Sequence, residues 1–149
     1  MKIEALDLTH FDTSQIISMS SMFNYCSYIT ELDLSNFDTS KVTNMSGMFS
    51  SCYSLKSLDL SHFDTSKVKD MEIMFWDCRS LTSLDLTNWG LSNITDESNR
   101  RRMFEYCDSL RTIKINDEAS ANKLIAQIQD DLSKTATWNP ETKIITIPE

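Results

Sequence analysis

Glycine and proline are scarce, with two of each among 149 residues. That argues against a loop-rich domain or a flexible linker, because tight turns and linkers draw heavily on those two residues. Positive charge is short as well. Fourteen Lys and Arg stand against 22 Asp and Glu, giving a net charge of −8 and an isoelectric point near 4.7. Direct nucleic-acid binding or an anionic membrane surface is thereby disfavoured, and a protein partner with a basic surface is the better match. No run approaches the roughly 20 apolar residues of a membrane-spanning helix. The opening MKIEALDLTHF has no apolar signal core. The expected location is therefore cytoplasmic for the chain as given, and cell-surface or secreted if it is a fragment of a longer one.

What is present is repetition. Leu-Asp-Leu recurs at 6–8, 32–34, 58–60 and 84–86, in steps of 26 residues, and Ile113-Lys114-Ile115 follows 29 residues after the last. Beneath these align Phe11, Phe37, Phe63 and Trp89, then Ile16, Val42, Val68 and Ile94. Met22, Met48, Met74 and Met103 form another column, each followed by Phe23, Phe49, Phe75 or Phe104. Cys26, Cys52, Cys78 and Cys107 share one more, as do Ile3, Ile29, Leu55, Leu81 and Leu110. A period in this range with L-x-x-L-x-L at its centre is the leucine-rich-repeat pattern. In it Leu58 and Leu60 point inward and Asp59 outward. The return stretch spaces Val42, Met45, Met48 and Phe49 at i, i+3, i+6 and i+7, which predicts a short α or 3₁₀ segment behind the sheet. Asp12, Asp38 and Asp64 each precede Thr-Ser and read as caps for that segment.

The phrase LDLSNFDTSKVTNMSGMFSSCYSL resembles the 26-residue repeat of BspA-like leucine-rich-repeat proteins of bacteria, over about residues 1–116. The resemblance implies adhesion to host matrix or to other cells, and it carries over no catalytic residue. The expected fold is an α/β solenoid: a right-handed leucine-rich-repeat array over 1–116, with about five short parallel strands and short helical backing segments. From Asn116 the repetition stops. DEASANKLIAQIQDDL aligns Leu124, Ile125, Ile128 and Leu132 on one helix face, with Asp117 or Ser120 as N-cap. TATWNPETKIITIPE then reads as a hairpin about Asn139-Pro140-Glu141-Thr142. Residues 117–149 are thus expected to cap the array within the same domain. At the other end Ile3 already occupies a repeat column. An uncapped edge there would be a place for self-association.

Two candidate binding surfaces follow. Asp7, Asp33, Asp59 and Asp85 form one exposed column on the expected concave face, flanked by Glu31 and ended by Lys114. They are either a solvated by-product of duplication or a landing strip for Lys and Arg side chains. The alternative lies in the three-residue insertion of the fourth repeat, where Arg100, Arg101 and Arg102 stand out in an acidic chain. Trp76 and Trp89 would supply apolar anchors near it. The cysteines, one per repeat, read as a column of buried thiols. No Cys or His spacing suits zinc, and no loop supplies an oxygen shell for calcium. No phosphate loop, nucleophile elbow or catalytic carboxylate pair appears, so neither an enzyme nor a cofactor is expected. Two functions remain: a protein-binding module of the adhesion type, or a small acidic inhibitor, such as an immunity or phage anti-defence protein, that blocks a basic nucleic-acid-handling target.

Overall fold

The computed structural model describes residues 6–149, so Ile3 and the N-terminal edge around it lie outside the described residues. Five three-residue strands form one sheet: β1 (Ser57–Asp59), β2 (Ser83–Asp85), β3 (Thr112–Lys114), β4 (Thr137–Asn139) and β5 (Ile144–Thr146). Their order is β1-β2-β3-β5-β4. The first three pair in parallel, with Asp59 beside Asp85 and Asp85 beside Lys114. β3–β5 and β5–β4 are antiparallel. One α-helix, α1 (Glu118–Leu132), completes the regular structure apart from a single 3₁₀ turn, Glu97–Arg100, in the insertion.

This corrects the expected fold. The sheet is mixed and open, its strands are few and short, and it is not the right-handed leucine-rich-repeat solenoid of about five parallel strands. The tripeptides 6–8 and 32–34 are not strands, and no helix backs 58–60. Two local causes are visible. The Asp of each tripeptide turns its carboxylate onto the N–H two residues later, 2.9 Å for Asp59–Ser61 and 3.0 Å for Asp85–Thr87. This Asx turn ends the strand at once.

The second cause lies in the return stretch. Met19, Ser21, Phe23 and Tyr25 donate their N–H groups to the carbonyls of Asn44, Ser46, Met48 and Ser50, each at 2.9 Å. Met45, Gly47, Phe49 and Ser51 do the same to Asp70, Glu72, Met74 and Trp76. Met71, Ile73, Phe75 and Asp77 repeat it onto Asn99, Arg101, Met103 and Glu105. Between these donors the chain closes i→i+3 turns, such as Met48 N–H to Met45 O at 3.2 Å. Ser21, Tyr25, Gly47, Ser51, Ile73 and Asp77 take positive φ to allow it. An α-helix needs negative φ throughout and i→i+4 bonds. The stretch spends its donors on the neighbouring repeat instead.

The columns read from the sequence do form the core. Val42, Met45, Met48, Phe49, Leu60, Val68, Met71, Met74 and Phe75 are completely buried. The phenyl rings of Phe23, Phe49, Phe75 and Phe104 stack with centroids 5.7, 5.7 and 5.9 Å apart. Thr13, Thr39 and Thr65 form a buried polar seam. Each hydroxyl donates to the next repeat's backbone carbonyl at 3.1 Å and accepts that same residue's N–H at 2.7 to 3.0 Å.

Helix α1 covers the far end of the array. Asp117 caps it by accepting the Ser120 N–H, and Ala121, Leu124 and Ile128 bury its inner face. The helix also continues the repeat's hydrogen bonding. Ser120 Oγ takes the Leu91 N–H, and Asp131 Oδ2 takes the Phe104 N–H at 2.8 Å. The β4–β5 hairpin then adds its β5 edge to β3.

Candidate functional site

Along the outer face of the sheet and its extension, Asp7, Asp33 and Asp59 are exposed and Asp85 is half-buried. Each carboxylate does two things. One oxygen, Oδ1, accepts the N–H two residues on: Thr9 at 3.1 Å, Ser35 at 2.9 Å, Ser61 at 2.9 Å and Thr87 at 3.0 Å. Among the described residues the other oxygen makes no bond in Asp7, Asp33 or Asp59, whereas Asp85 Oδ2 meets Lys114 Nζ at 3.4 Å. These hydrogen bonds also hold the charge. The Thr9 hydroxyl and N–H lower the carboxyl of Asp7 below its ordinary range, and the Ser35 and Ser61 backbone and hydroxyl groups do so for Asp33 and Asp59. Adjacent strands set these side chains about 4.8 Å apart. A shallow cleft of 390 Å³ runs over Ser57, Asp59, Ser83, Asp85, Thr112 and Lys114. Glu31 is exposed one residue before the second repeat.

The insertion does not form the second surface as a unit. Arg100 takes the buried column of Met19, Met45 and Met71 and is itself buried. Its guanidinium reaches Gln127 Oε1 at 3.1 Å, Lys123 O at 3.3 Å and Glu97 at 3.3 Å. Trp89 is buried too, in the Phe37 and Phe63 column, with its indole N–H on Leu60 O at 3.0 Å. Only Trp76, Arg101 and Arg102 remain accessible, and all three are engaged. Arg101 pairs with Glu72 at 2.8 Å, Arg102 pairs with Glu105, and Trp76 Nε1 donates to Glu105 at 3.1 Å. The Arg102 guanidinium lies 5.8 Å over the Trp76 ring. A cleft of 520 Å³ opens here against α1. It is larger than the one over the aspartates, but its three arginines are already paired, with Glu97, Glu72 and Glu105, so it offers an anionic ligand little unspent positive charge.

The matched family is described as a Mycoplasma protein of unknown function, DUF285, and the match runs over residues 1–117. The chain belongs to this family. The DUF285 match covers the repeats and ends at the N-cap of α1, so the helix and hairpin fall outside it. Comparison with curated proteins and with solved structures gives no match.

Several working residues escaped the sequence reading. The buried threonines of the D-T-S phrase carry the polar seam, whereas Asp38, Thr39 and Ser40 read from the sequence as helix caps. Asp12, Asp38 and Asp64 accept the N–H of Ser14, Ser40 and Ser66, so they make Asx turns and not helix caps. Asn36, His62 and Asn88 reach back to carbonyls of the preceding repeat at 2.9, 2.7 and 2.8 Å. The signal was the choice of Asn or His, both able to donate from a side-chain nitrogen, in one column. The four thiols are free, and those of Cys52, Cys78 and Cys107 face the carbonyls of Phe23, Phe49 and Phe75. Burial pushes the Cys26 and Cys52 thiols up. Among the described residues, no three His, Cys, Asp or Glu side chains converge to hold a metal ion, and no helix is long and apolar enough to cross a membrane.

Proposed function

We propose that this chain is a non-catalytic protein-binding module that receives Lys and Arg side chains of a basic partner on its aspartate column. The supporting observation is the division of labour within each carboxylate. The turn consumes one oxygen and fixes the side chain, and in Asp7, Asp33 and Asp59 the second oxygen is left toward solvent. A charge-assisted hydrogen bond from a partner needs that arrangement, an ionised acceptor already held in place. The net charge of −8 adds long-range attraction.

The resemblance of the 26-residue phrase to BspA-like repeats supports adhesion as one setting for such binding. The acidic surface equally suits an inhibitor that occupies the basic channel of a nucleic-acid-handling protein. One experiment separates these settings and tests the site. The triple variant Asp33→Asn/Asp59→Asn/Asp85→Asn keeps an acceptor oxygen for every turn while removing three charges. Its partner, captured by the natural chain and identified, should bind from about threefold to a hundredfold more weakly, at roughly 0.2–1 kcal/mol per exposed ion pair. Binding by the natural chain should also fall as salt rises. A matrix or surface protein as the captured partner selects adhesion, and a basic nucleic-acid enzyme selects inhibition. Equal binding by both proteins would remove the aspartate column from the site.

A further inference from the structure

From Met19 to Tyr25 and at the equivalent positions of the next repeats, the hydrogen bonds between repeats run one way, whereas Thr43 and Lys56 donate back to Ile17 and Thr30. In three successive interfaces, four alternate N–H groups of one repeat point toward the higher-numbered neighbour, and four carbonyls of that neighbour point back. The carbonyls so used are those of Asn44, Ser46, Met48 and Ser50 and their equivalents. The matching carbonyls of the first repeat belong to Ser18, Ser20, Met22 and Asn24. Among the described residues none of the four accepts a hydrogen bond. Along residues 18–24 this edge offers a row of acceptors.

Side chains of the same face are equally unspent. His10 occupies the column in which Asn36, His62 and Asn88 reach a preceding carbonyl, and it has no such partner among the described residues. Asp12 N–H lacks the threonine hydroxyl that Asp38 and Asp64 receive. Cys26 is half-buried where the other three thiols are covered. Phe11 is 59% exposed against 5% for Phe37 and 1% for Phe63, and Met22 is 39% exposed against none for Met48.

We infer that this face is a docking surface for a further unit of the same repeat phrase that presents its N–H edge. The interface of the first repeat with the second shows the complement that fits: four N–H groups at alternate positions, a threonine hydroxyl for Asp12, and Phe and Met side chains. A second copy of this chain does not supply it. A copy meeting it face to face about a two-fold axis presents the same row of carbonyls and not that set of N–H groups. The chain's own donor edge lies against α1, whose Asp131 holds the Phe104 N–H.

Cys26 is the reporter, since Cys52, Cys78 and Cys107 are buried. The full chain is prepared with a copy of residues 32–57 joined ahead of it by a flexible Gly/Ser linker, which presents the unit at an effective concentration on the order of millimolar. Native alkylation of Cys26, located by mass spectrometry, should slow about tenfold or more relative to the unmodified chain. A second version carries proline at the copied Met45 and Phe49 positions, deleting two donors where φ is negative, and it should not protect. Unchanged alkylation with the natural unit overturns the inference, as does equal protection by the proline version, which would mean apolar cover alone. Protection of the unmodified chain that grows with its concentration also overturns it, in favour of a second copy.

Discussion

Asp38 and Thr39 stand side by side in the D-T-S phrase and point to opposite environments. Asp38 is exposed and shapes a turn, whereas Thr39 is 2% exposed and joins two repeats through one hydroxyl. Replacing Thr39 by valine keeps the shape but strands the Asp64 N–H and carbonyl away from water. The expected loss is about 1–3 kcal/mol, the cost of leaving a buried polar group unpaired, and Thr39→Ser should lose less because the hydroxyl remains. Urea midpoints of the two variants measure this, and equal midpoints for natural chain and valine variant would contradict the seam. Which side chains are buried was legible at this scale, because burial follows the repeat columns. Two exceptions mattered. Trp89 reads as an unusual anchor but merely replaces phenylalanine in a core column. Arg100 reads as a surface charge, yet it fills a methionine column and pays for burial through Gln127, Lys123 O and Glu97.

The return stretch and α1 divide what the sequence could reveal about elements. Helix α1 was legible because its apolar spacing persists over 15 residues and Asp117 marks its start. The return stretch was not. Its spacing of Val42, Met45, Met48 and Phe49 fits a helix as well as a series of turns, and the positive φ values that decide the matter fall on Ser21, Ile73 and Tyr25, with glycine only at Gly47. At the junction of the two elements, Asp131 receives the Phe104 N–H and the Gln127 amide, while burial raises its carboxyl above the ordinary range. Asn in its place keeps one acceptor oxygen for the Phe104 N–H and sheds the buried charge but turns its amide NH2 toward that of Gln127, so Asp131→Asn should cost about 0.5–1.5 kcal/mol. Asp131→Leu removes the acceptor and should cost about 1–3 kcal/mol. Thermal unfolding of the pair distinguishes a hydrogen-bonding lid from a merely apolar one, which would tolerate leucine.

For the molecule as a whole, the Asx turns make stability depend on pH. Asp7, Asp12, Asp33, Asp38, Asp59, Asp64, Asp96 and Asp117 all have carboxyls lowered by hydrogen bonds from nearby Thr or Ser. A carboxylate lowered in the folded state contributes stability above its unfolded pKa and loses it as pH falls through the folded value. Asp131, raised, acts in the opposite sense, one group against eight. Melting temperature should therefore drop once pH falls below about 4, near the ordinary aspartate value. A chain whose melting point is flat or rising from pH 5 to 3 would show that these turns do not support the fold. The direction of the backbone hydrogen bonds between repeats bears also on the gene. Any internal boundary among the first three repeats joins the same donors to the same acceptors, so a 78-base-pair segment encoding one repeat, 26 codons, can be duplicated or lost there in frame without rebuilding either neighbour. The fourth repeat, with Leu91 and Arg100 fitted to α1, cannot be copied in that way. Length variation among related genes should accumulate upstream of the codon for Trp89 and stop there.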